Sequence, residues 1–587
     1  MSQSTIFKGI AACPGVAVGP LWVIDRGGTH PPRVRVPESK VEEQIARVRA
    51  AIARSRESLE AIMHSLVETH GPAYGQLIEP QLLMYGDSLF VDGIERAIRE
   101  RRLGAEWAVR ETVDALKRPL LDADAPYFRE RAEDVEQVGL QILRELAGED
   151  DGLPPRDAEV IVVANVLSPA DAAELRNSRV LAIATESGSA TSHTAILARA
   201  LGLPAVVAAK GVARRSEVGH TAIVDAIRGE VVVDPDPAEC ADAERRAERY
   251  QHFARALRAH QDAPVVTTDG HPVEILANVE LAFEVERIAA SGASGVGLFR
   301  TEFLYLNRRK PPSEEEQYAV YARTVEKLEG RPVVFRTFDL GADKMPRFDG
   351  LPRPSATFGR TGLRYSLTVP ELFETQLRAL VRASAHGPVR VMFPGVSGVD
   401  ELREATERLR RVREELAREG VPLEEVPVGS MIEIPSAALR SHKLAESCDF
   451  FSVGTNDLIQ HTLAVDRTDA GLTSLSSSLD PAVIELLQMT AASAKARGIP
   501  LSMCGDMAAD PLALPVVLGL GFTQLSVPLG MIPMVQETIR RISMERCREV
   551  VRAAAACSSA RAVREAVVEA FSAELGEIWR EQGVVTD

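Results

Sequence analysis

The chain has 587 residues, of which 45% are hydrophobic and 26% charged, and its formal net charge is −16 at pH 7. This length is too great for one hydrophobic core, so we expect two to four domains, and the negative charge argues against nucleic acid or an anionic membrane as a partner. The six cysteines are scattered, the N-terminus lacks a basic start followed by an apolar run, and no segment reaches the length of a membrane span. We therefore expect a cytoplasmic protein with reduced thiols and no membrane insertion.

The first 147 residues combine a short β-like start with a long helical stretch. Apolar runs at 16–18 and 21–24 follow a Pro-Gly turn signal. From residue 41 to 66, apolar residues recur at three- and four-residue steps, which predicts an amphipathic helix. Three more helical patterns occupy 89–100, 105–116 and 129–146. We expect residues 1–30 to begin an α/β domain and residues 31–147 to form a helical subdomain inserted into it.

Residues 148–262 return to a mixture of strands and helices. Apolar β runs occur at 160–163, 180–184, 205–207, 221–224 and 231–233. We expect residues 148–235 to complete the interrupted α/β domain. The sequence Asp234-Pro-Asp-Pro237 then opens a charged helical stretch, which we interpret as a linker helix over 236–262.

Eight short apolar runs recur in the second half of the chain, each followed by a helical pattern. The runs are 273–277, 295–299, 333–335, 389–393, 426–432, 450–453, 501–503 and 525–527. Eight β runs alternating with helices over about 300 residues are typical of a (β/α)8 barrel. We predict that residues 263–575 form such a TIM barrel, which makes the protein a multidomain α/β protein.

Polar residues stand directly after six of these eight runs. They are Asn278, Arg300, Arg336, Glu433, the pair Asn456-Asp457, and Cys504. In a (β/α)8 barrel the carboxyl ends of the strands meet at one mouth, where catalytic groups lie. One polar strand end could arise by chance, but six indicate a shared site.

His193 lies in the segment Gly188-Ser-Ala-Thr-Ser-His-Thr-Ala-Ile-Leu-Ala-Arg199. Thr191 and Ser192 are good N-caps, so we expect His193 on the first turn of a helix, whose free N–H groups and positive dipole end suit a phosphoryl group. A lone histidine is more often structural or merely exposed. The segment, however, resembles the phosphohistidine motif G-G-x-T-S-H-x-x-I-x-A-R of the Enzyme I family, the phosphoenolpyruvate-protein phosphotransferases among the PEP-utilising enzymes. The resemblance implies that His193 is the catalytic histidine of a swivelling α/β domain.

Two arginine-containing segments of the predicted barrel resemble the same family. They are Gly295-Val-Gly-Leu-Phe-Arg-Thr-Glu-Phe303 and Phe335-Arg-Thr-Phe-Asp-Leu-Gly-Ala-Asp-Lys344. A phosphate dianion calls for planar, permanently charged donors, which arginine supplies. The resemblance implies that Arg300, Arg336 and Lys344 bind phosphoenolpyruvate. Surface ion pairing is the alternative role for such arginines.

Two carboxylates come from consecutive strand ends, in Met431-Ile-Glu-Ile-Pro435 and Ser452-Val-Gly-Thr-Asn-Asp-Leu458. Mg²⁺ prefers a small number of hard oxygen ligands from the protein and shares its remaining positions with substrate. Two unrelated surface acids would show the same sequence pattern. The resemblance implies that Glu433 and Asp457 bind Mg²⁺ and that Asn456, Asp457 and Arg467 contact the substrate.

Cys504 lies in Ser502-Met-Cys-Gly-Asp-Met507, which resembles the family motif C-G-E. Loss of the phosphoryl group from phosphoenolpyruvate leaves an enolate that needs a proton on carbon. A thiol whose pKa lies near the working pH suits that transfer, so we expect Cys504 to be the proton donor. A buried thiol without a chemical role is the commoner case and remains the alternative.

Several positions depart from the family pattern. Ser189 replaces the second glycine of the phosphohistidine motif, Ala342 interrupts the family's G-G-D-K, and Asp506 shortens the acid of C-G-E. Where the family reads N-P-x-L-G-x-R, this chain has Ser-Ala-Thr-Phe-Gly-Arg-Thr, so the usual arginine is Thr361 and Arg360 stands one place earlier. These changes leave the groups named above intact but bear on the catalytic rate.

The resemblance implies a two-step reaction. Phosphoenolpyruvate with Mg²⁺ would phosphorylate His193 and release pyruvate, and the phosphohistidine would then pass its group to a histidine of a small HPr-like phosphocarrier protein. It also implies that residues 31–147 bind this carrier and that the barrel forms a homodimer.

Two other readings of the sequence stay open. A dikinase or phosphoenolpyruvate synthase would need a further nucleotide-binding domain, and no P-loop or similar segment is present in the sequence. A specialised or regulatory paralogue that senses phosphoenolpyruvate is supported only by the departures, above all the one at Thr361.

Overall fold

The structure is a computed structural model that divides the chain into two compact units. It describes residues 4–24, 33–70, 81–121, 126–148, 153–155, 157–167, 175, 178–188, 194–195, 198, 202–260, 263–280, 282–305, 310–339, 348, 351–352, 359–465 and 475–584. The first unit is Met1–Arg255 with Glu581–Gly583, and the second is Ala256–Arg580 with Val584–Asp587. Three predicted site residues, His193, Lys344 and Arg467, lie outside the described residues.

The first unit contains a mixed eight-stranded sheet. Its strands are β1 (Thr5–Lys8), β2 (Ile10–Cys13), β3 (Val16–Ile24), β4 (Val160–Ala164), β5 (Val180–Thr185), β6 (Ala205–Val207), β7 (Thr221–Asp225) and β8 (Glu230–Val233). Their spatial order is β1-β8-β7-β3-β4-β5-β6-β2. The pairs β3–β4, β4–β5 and β5–β6 are parallel, and the others are antiparallel.

Both faces of this sheet are covered, which explains the unbroken apolar sequence of β4. Val162 and Ala164 belong to one buried cluster, whereas Ile161 and Val163 belong to another. A strand that is buried on both faces needs apolar side chains at every position instead of at alternate ones.

The predicted helical insertion is present between two neighbouring strands. The helices α1 (Val41–His70), α2 (Ser88–Arg101), α3 (Ala105–Leu121) and α4 (Pro126–Ala147) separate β3 from β4 in the chain. Ile24 nevertheless pairs with Ala164 in the sheet. The short α5 (Val212–Arg215) and the long α6 (Pro237–Ala259) follow in this part of the chain.

The sequence did not predict the edge strands β1 and β2, and it divided β3 in two. β1 and β2 have four residues each, and Ile6 and Ile10 are exposed, so the apolar pattern there is too short and too irregular to indicate a strand. Pro20 separates the two runs of β3 but lies opposite Thr221 before the pairing with β4 begins. A strand tolerates the missing N–H where one side is unpaired.

The second unit contains the predicted closed barrel of eight parallel strands. The strands are β9 (Glu274–Val279), β10 (Val296–Arg300), β11 (Val333–Arg336), β12 (Val389–Phe393), β13 (Val428–Ile432), β14 (Phe450–Val453), β15 (Leu501–Met503) and β16 (Gln524–Pro528). Each pairs with the next, and β16 closes the barrel on β9. The fold class expected from the sequence is thus confirmed.

Helices surround the barrel and continue beyond it. They are α7 (Glu314–Lys327), α8 (Gly362–Thr368), α9 (Pro370–Ala383), α10 (Val399–Arg418), α11 (Pro435–Leu439), α12 (Ser441–Leu444), α13 (Thr455–Leu463), α14 (Pro481–Arg497), α15 (Leu514–Gly519), α16 (Ile532–Arg541), α17 (Met544–Ala554) and α18 (Ala560–Glu581). Trp579 of α18 is fully buried and donates its indole N–H to the Pro511 carbonyl at 3.1 Å. None of the described helices combines the length and apolar character that crossing a membrane would require.

Candidate active site at the mouth of the barrel

Two arginines stand side by side at the carboxyl ends of adjacent strands. Arg300 and Arg336 are the last residues of β10 and β11, and the register pairs them directly. The apolar runs predicted Arg300, Arg336 and Asn278 just beyond their strands, whereas the structure includes all three within the strands. The two positively charged guanidinium groups repel each other at neighbouring strand ends, so each needs carboxylate partners.

The partners of Arg336 come from the two predicted arginine motifs themselves. Arg336 Nη2 donates to Glu302 Oε1 at 3.0 Å, and Arg336 Nη1 lies 3.1 Å from Asp339 Oδ2. Burial disfavours the charge of this guanidinium, but Glu302, Asp339, Glu433 and Asp457 raise the pKa of Arg336 above its ordinary value. Arg336 is therefore a permanent, buried cation. Among the described residues, Arg300 forms its ion pair through Nη1 with Glu280 Oε1.

Both arginines retain a donor that no described residue satisfies. The Nε atoms of Arg300 and Arg336 are buried, and neither has a hydrogen-bond partner among the residues that the structure describes. A buried N–H without a partner is costly, so both Nε atoms are open to an acceptor from a bound group. Two guanidinium donors at adjacent strand ends suit an anion with several oxygens.

Glu433 provides an acidic side chain two strands further around the barrel from Arg336. It directly follows β13, only 4% of the residue is exposed, and Oε1 accepts the Gly395 N–H at 2.5 Å. Its Oε2 atom is buried and has no hydrogen-bond partner within the described parts of the chain. Burial raises the pKa of Glu433 to about 8, and the carboxylates of Asp339 and Asp457 add to this against the opposing effect of Arg336.

This carboxylate environment fits a bound cation. Glu433 holds an unsatisfied oxygen next to further negative charge, and a metal ion would relieve both. A Cβ on Gly454 would lie 3.0 Å from Glu433 Oε2, so glycine leaves that oxygen open. Among the described residues no three histidine, cysteine, aspartate or glutamate side chains form a metal site alone. Two carboxylates plus substrate oxygens are, however, a normal Mg²⁺ environment.

Cys504 follows β15, and only 4% of it is exposed. Burial raises the pKa of the Cys504 thiol to about 11, while the neighbouring Ser452 side chain and the charges of Arg336 and Arg300 act in the opposite direction. The expectation of a thiol pKa near the working pH is therefore wrong, because desolvation outweighs the nearby positive charge. At neutral pH Cys504 keeps its proton, which is the form that a proton donor requires.

Asn456 is held by the acid that departs from the family motif. Asn456 Nδ2 donates to Asp506 Oδ2 at 2.9 Å, and the Asp506 N–H donates to Asn456 Oδ1 at 2.9 Å. Gly505, which directly precedes Asp506, packs closely against Thr455, because a Cβ on this glycine would lie 2.0 Å from Thr455 Oγ1. The shorter Asp506 thus still fixes the orientation of the Asn456 amide.

Sequence reasoning missed Glu302 and Asp339 as parts of the site. Both stand two or three residues after an arginine that it did single out, within the same quoted motifs. A buried arginine requires a carboxylate, and that requirement could have pointed to them. The structure brings Arg300, Arg336, Glu433, Asn456, Asp457 and Cys504 to the same end of the barrel strands.

Comparisons with known proteins cover most of the chain. Three family descriptions match: "PEP-utilising enzyme, N-terminal" over residues 8–131, "PEP-utilising enzyme, mobile domain" over 156–229 and "PEP-utilising enzyme, PEP-binding domain" over 254–544. The chain is similar to the phosphoenolpyruvate-protein phosphotransferases of Geobacillus stearothermophilus (35% identity over 567 residues), Priestia megaterium (36% over 539) and Bacillus subtilis (35% over 541). These alignments cover 96%, 91% and 92% of this chain and 98%, 94% and 95% of the relatives.

Proposed function

The chain belongs to the family of phosphoenolpyruvate-protein phosphotransferases, and from that membership we propose that it moves the phosphoryl group of phosphoenolpyruvate onto His193 and then onto a histidine of an HPr-like phosphocarrier protein, with release of pyruvate. The barrel mouth would bind phosphoenolpyruvate, and the α/β domain would carry the phosphohistidine. The domain limits that accompany this proposal are 1–30 and 148–235 for the phosphohistidine domain, 31–147 for the carrier-binding helices, 236–262 for the linker and 263–575 for the barrel.

One observation carries the proposal for the barrel. Arg300, Arg336 and Glu433 stand at the carboxyl ends of barrel strands, and each carries a buried side-chain atom that no described residue satisfies, the Nε atoms of the arginines and Oε2 of Glu433. Phosphoenolpyruvate offers phosphate oxygens to the arginines, and with a divalent cation it also satisfies the carboxylate. Lys344 and Arg467, which lie outside the described residues, are proposed as further substrate contacts on the basis of family resemblance.

The first step breaks the bond between phosphorus and the enol oxygen, while a ring nitrogen of His193 forms a bond to phosphorus. Arg300 and Arg336 hold the phosphoryl oxygens during this transfer, so positioning and electrostatics supply most of the rate. The electron pair left on the enol oxygen makes the enolate of pyruvate. Cys504 then gives its proton to the methylene carbon, and the resulting thiolate recovers a proton from solvent.

Glu433 and Asp457 would hold Mg²⁺, which when bound supplies positive charge next to the enolate oxygen. Asn456, fixed by Asp506, would donate an N–H to the substrate. Glu433 needs to be ionised for this role, and the cation would lower the high pKa that burial gives it.

The second step would take place on the first unit. Ala195 and Ala198, which follow His193 in the sequence, are buried in the same core cluster of the first unit as Val162 and Ile183. We propose that helices within 31–147 receive the carrier and that the barrel forms a homodimer. Exchange of the histidine between the barrel mouth and a protein carrier requires a movement of the α/β domain.

Pyruvate release tests the proposal. With phosphoenolpyruvate, Mg²⁺ and a histidine phosphocarrier from the same cell, the protein should release pyruvate, and Glu433→Gln or excess chelator should stop the release. Glu446→Gln is the matched control, since Glu446 is an exposed carboxylate paired with Lys443. Full release in excess chelator would overturn the metal role. A wild-type protein that binds phosphoenolpyruvate without turnover would instead fit a regulatory paralogue.

A further inference from the structure

Asn278 connects the first barrel strand to Cys504 across an intervening strand. Its Nδ2 donates to the Cys504 carbonyl at 3.2 Å, and its Oδ1 accepts the Ser526 hydroxyl at 2.6 Å. The orientation of the amide follows from its partners, since a carbonyl can only accept and must therefore face the nitrogen. Ser526 lies on β16, which separates β9 from β15 in the barrel.

The Cys504 peptide lies beyond the strand ladder. The last pair between β15 and β16 is Met503 with Leu525, so the Cys504 carbonyl faces a side chain in place of a neighbouring strand. On the other side, the Cys504 N–H donates to the Val453 carbonyl at 3.0 Å, and Sγ lies 3.5 Å from the same oxygen. The peptide that carries the thiol is thus fastened from β14 on one side and from β9 on the other.

Ser526 is itself held in place. It is fully buried, and Gly297 on β10 leaves it little room, because a Cβ on that glycine would lie 2.6 Å from Ser526 Oγ. A buried hydroxyl fixed by packing, with its hydrogen bond of 2.6 Å to Asn278 Oδ1, restricts the rotation of the amide. Each residue of the hydrogen-bonded series from Ser526 through Asn278 to Cys504 therefore has little freedom to move.

We propose that Asn278, fastened by Ser526, is a positioning residue that directs the Cys504 thiol toward the carbon that it protonates. The role in turnover rests on the proposed function, in which Cys504 is the proton donor. A donor that is displaced by about 1 Å loses much of its rate advantage, because proton transfer depends on alignment in the transition state. Asn278 acts through the Cys504 peptide and not through the substrate.

Three variants separate this role from a structural one. Asn278→Asp keeps the size and the oxygen that accepts from Ser526, but replaces the donor to Cys504 with an oxygen. Ser526→Ala removes the anchor and leaves the amide. Ser502→Ala is the matched control, because this serine lies on β15 and bonds only weakly to the Phe451 carbonyl, at 3.3 Å.

Steady-state kinetics of pyruvate formation should show a split between kcat and KM. Asn278→Asp should lower kcat about tenfold or more and Ser526→Ala about threefold, while both keep KM for phosphoenolpyruvate within about twofold. Ser502→Ala should keep both constants. An Asn278→Asp variant with unchanged kcat, or with a higher KM and unchanged kcat, would overturn the proposal, since the latter result marks a direct substrate contact.

Alkylation of Cys504 by iodoacetamide, followed by mass spectrometry of its peptide, tests the positioning without any substrate. Asn278→Asp and Ser526→Ala should both react several times faster than wild type and Ser502→Ala, because a released peptide exposes the buried thiol. Equal rates in all four proteins would overturn the proposal even if turnover falls. If wild type makes no pyruvate, the proposed function fails, and the alkylation rates still decide whether Asn278 positions Cys504.

Discussion

Glu302 Oε1 accepts a 3.0 Å hydrogen bond from Arg336 Nη2 inside the barrel mouth, where only 10% and 12% of the two side chains are exposed. The pair keeps a buried cation in place before any anion arrives. Glu302 Oε2 is buried and has no hydrogen-bond partner in the described part of the chain, so Glu302 holds Arg336 through one oxygen.

Removal of Glu302 should therefore destabilise the barrel. Glu302→Ala removes one of the two carboxylates paired with Arg336 and leaves Asp339 as the other, and we expect a loss of about 2 kcal/mol in the free energy of unfolding, with a smaller loss for Glu302→Gln. Urea unfolding followed by circular dichroism measures both. Glu280→Ala is the control, because Glu280 is an exposed partner of Arg300. Equal stability of Glu302→Ala and wild type would contradict a structural ion pair.

We expect that a lysine at position 336 cannot take over the role of Arg336 in substrate binding. The guanidinium contacts Glu302 and Asp339 through two nitrogens and keeps Nε for a ligand, which one ammonium group cannot do. Arg336→Lys should raise KM for phosphoenolpyruvate about tenfold or more. Arg378→Lys is the control, since Arg378 also pairs with two carboxylates, Glu314 and Glu419, but on the outer helices. A KM that stays at the wild-type value in Arg336→Lys would remove Arg336 from the substrate site.

Asp506 should act on substrate binding through Asn456. Asp506→Ala removes the acceptor for Asn456 Nδ2 and frees the amide to rotate, so KM for phosphoenolpyruvate should rise several-fold. Asp506→Asn retains an oxygen acceptor and should lose less. Steady-state kinetics and the thermal midpoint distinguish this effect from unfolding. If Asp506→Ala and Asp506→Asn behave alike and match wild type, Asn456 needs no such support.

Asp269 should contribute stability that disappears in acid. Partial burial would raise the pKa of Asp269, but hydrogen bonds from Thr267 and from the Met544 and Glu545 amides lower it below the ordinary value. A carboxyl with a lowered pKa stabilises the folded state above its unfolded pKa of about 4, and the contribution is lost as pH falls through the folded pKa. Asp269→Asn should be less stable than wild type at pH 7, by about 1 kcal/mol.

The difference between wild type and Asp269→Asn should shrink steadily as the pH falls below about 4. Urea unfolding at a series of pH values measures it. A difference that stays constant down to the acid limit, or that grows there, would show that Asp269 does not titrate as its hydrogen bonds require.

The barrel and most of its mouth were predictable from local pattern. Apolar runs mark the strands, and the residue after each run marks the mouth, as Glu433 and Cys504 illustrate. The high pKa of Cys504 and the link from Asn278 to Cys504 were not predictable. They depend on desolvation and on contacts between strands more than 200 residues apart in the sequence, about which local periodicity carries no information. The edge strands β1 and β2 were not predicted, because a strand of four residues gives too short an apolar pattern.

The central claim is that phosphoenolpyruvate phosphorylates His193, and direct labelling tests it. Wild type incubated with phosphate-labelled phosphoenolpyruvate and Mg²⁺ should become labelled, with the lability in acid and stability in base of a phosphohistidine. His193→Ala should take up no label. His220→Ala, which changes a histidine that pairs with Asp234 at 2.8 Å, should be labelled like wild type. Label that persists in His193→Ala would contradict the account.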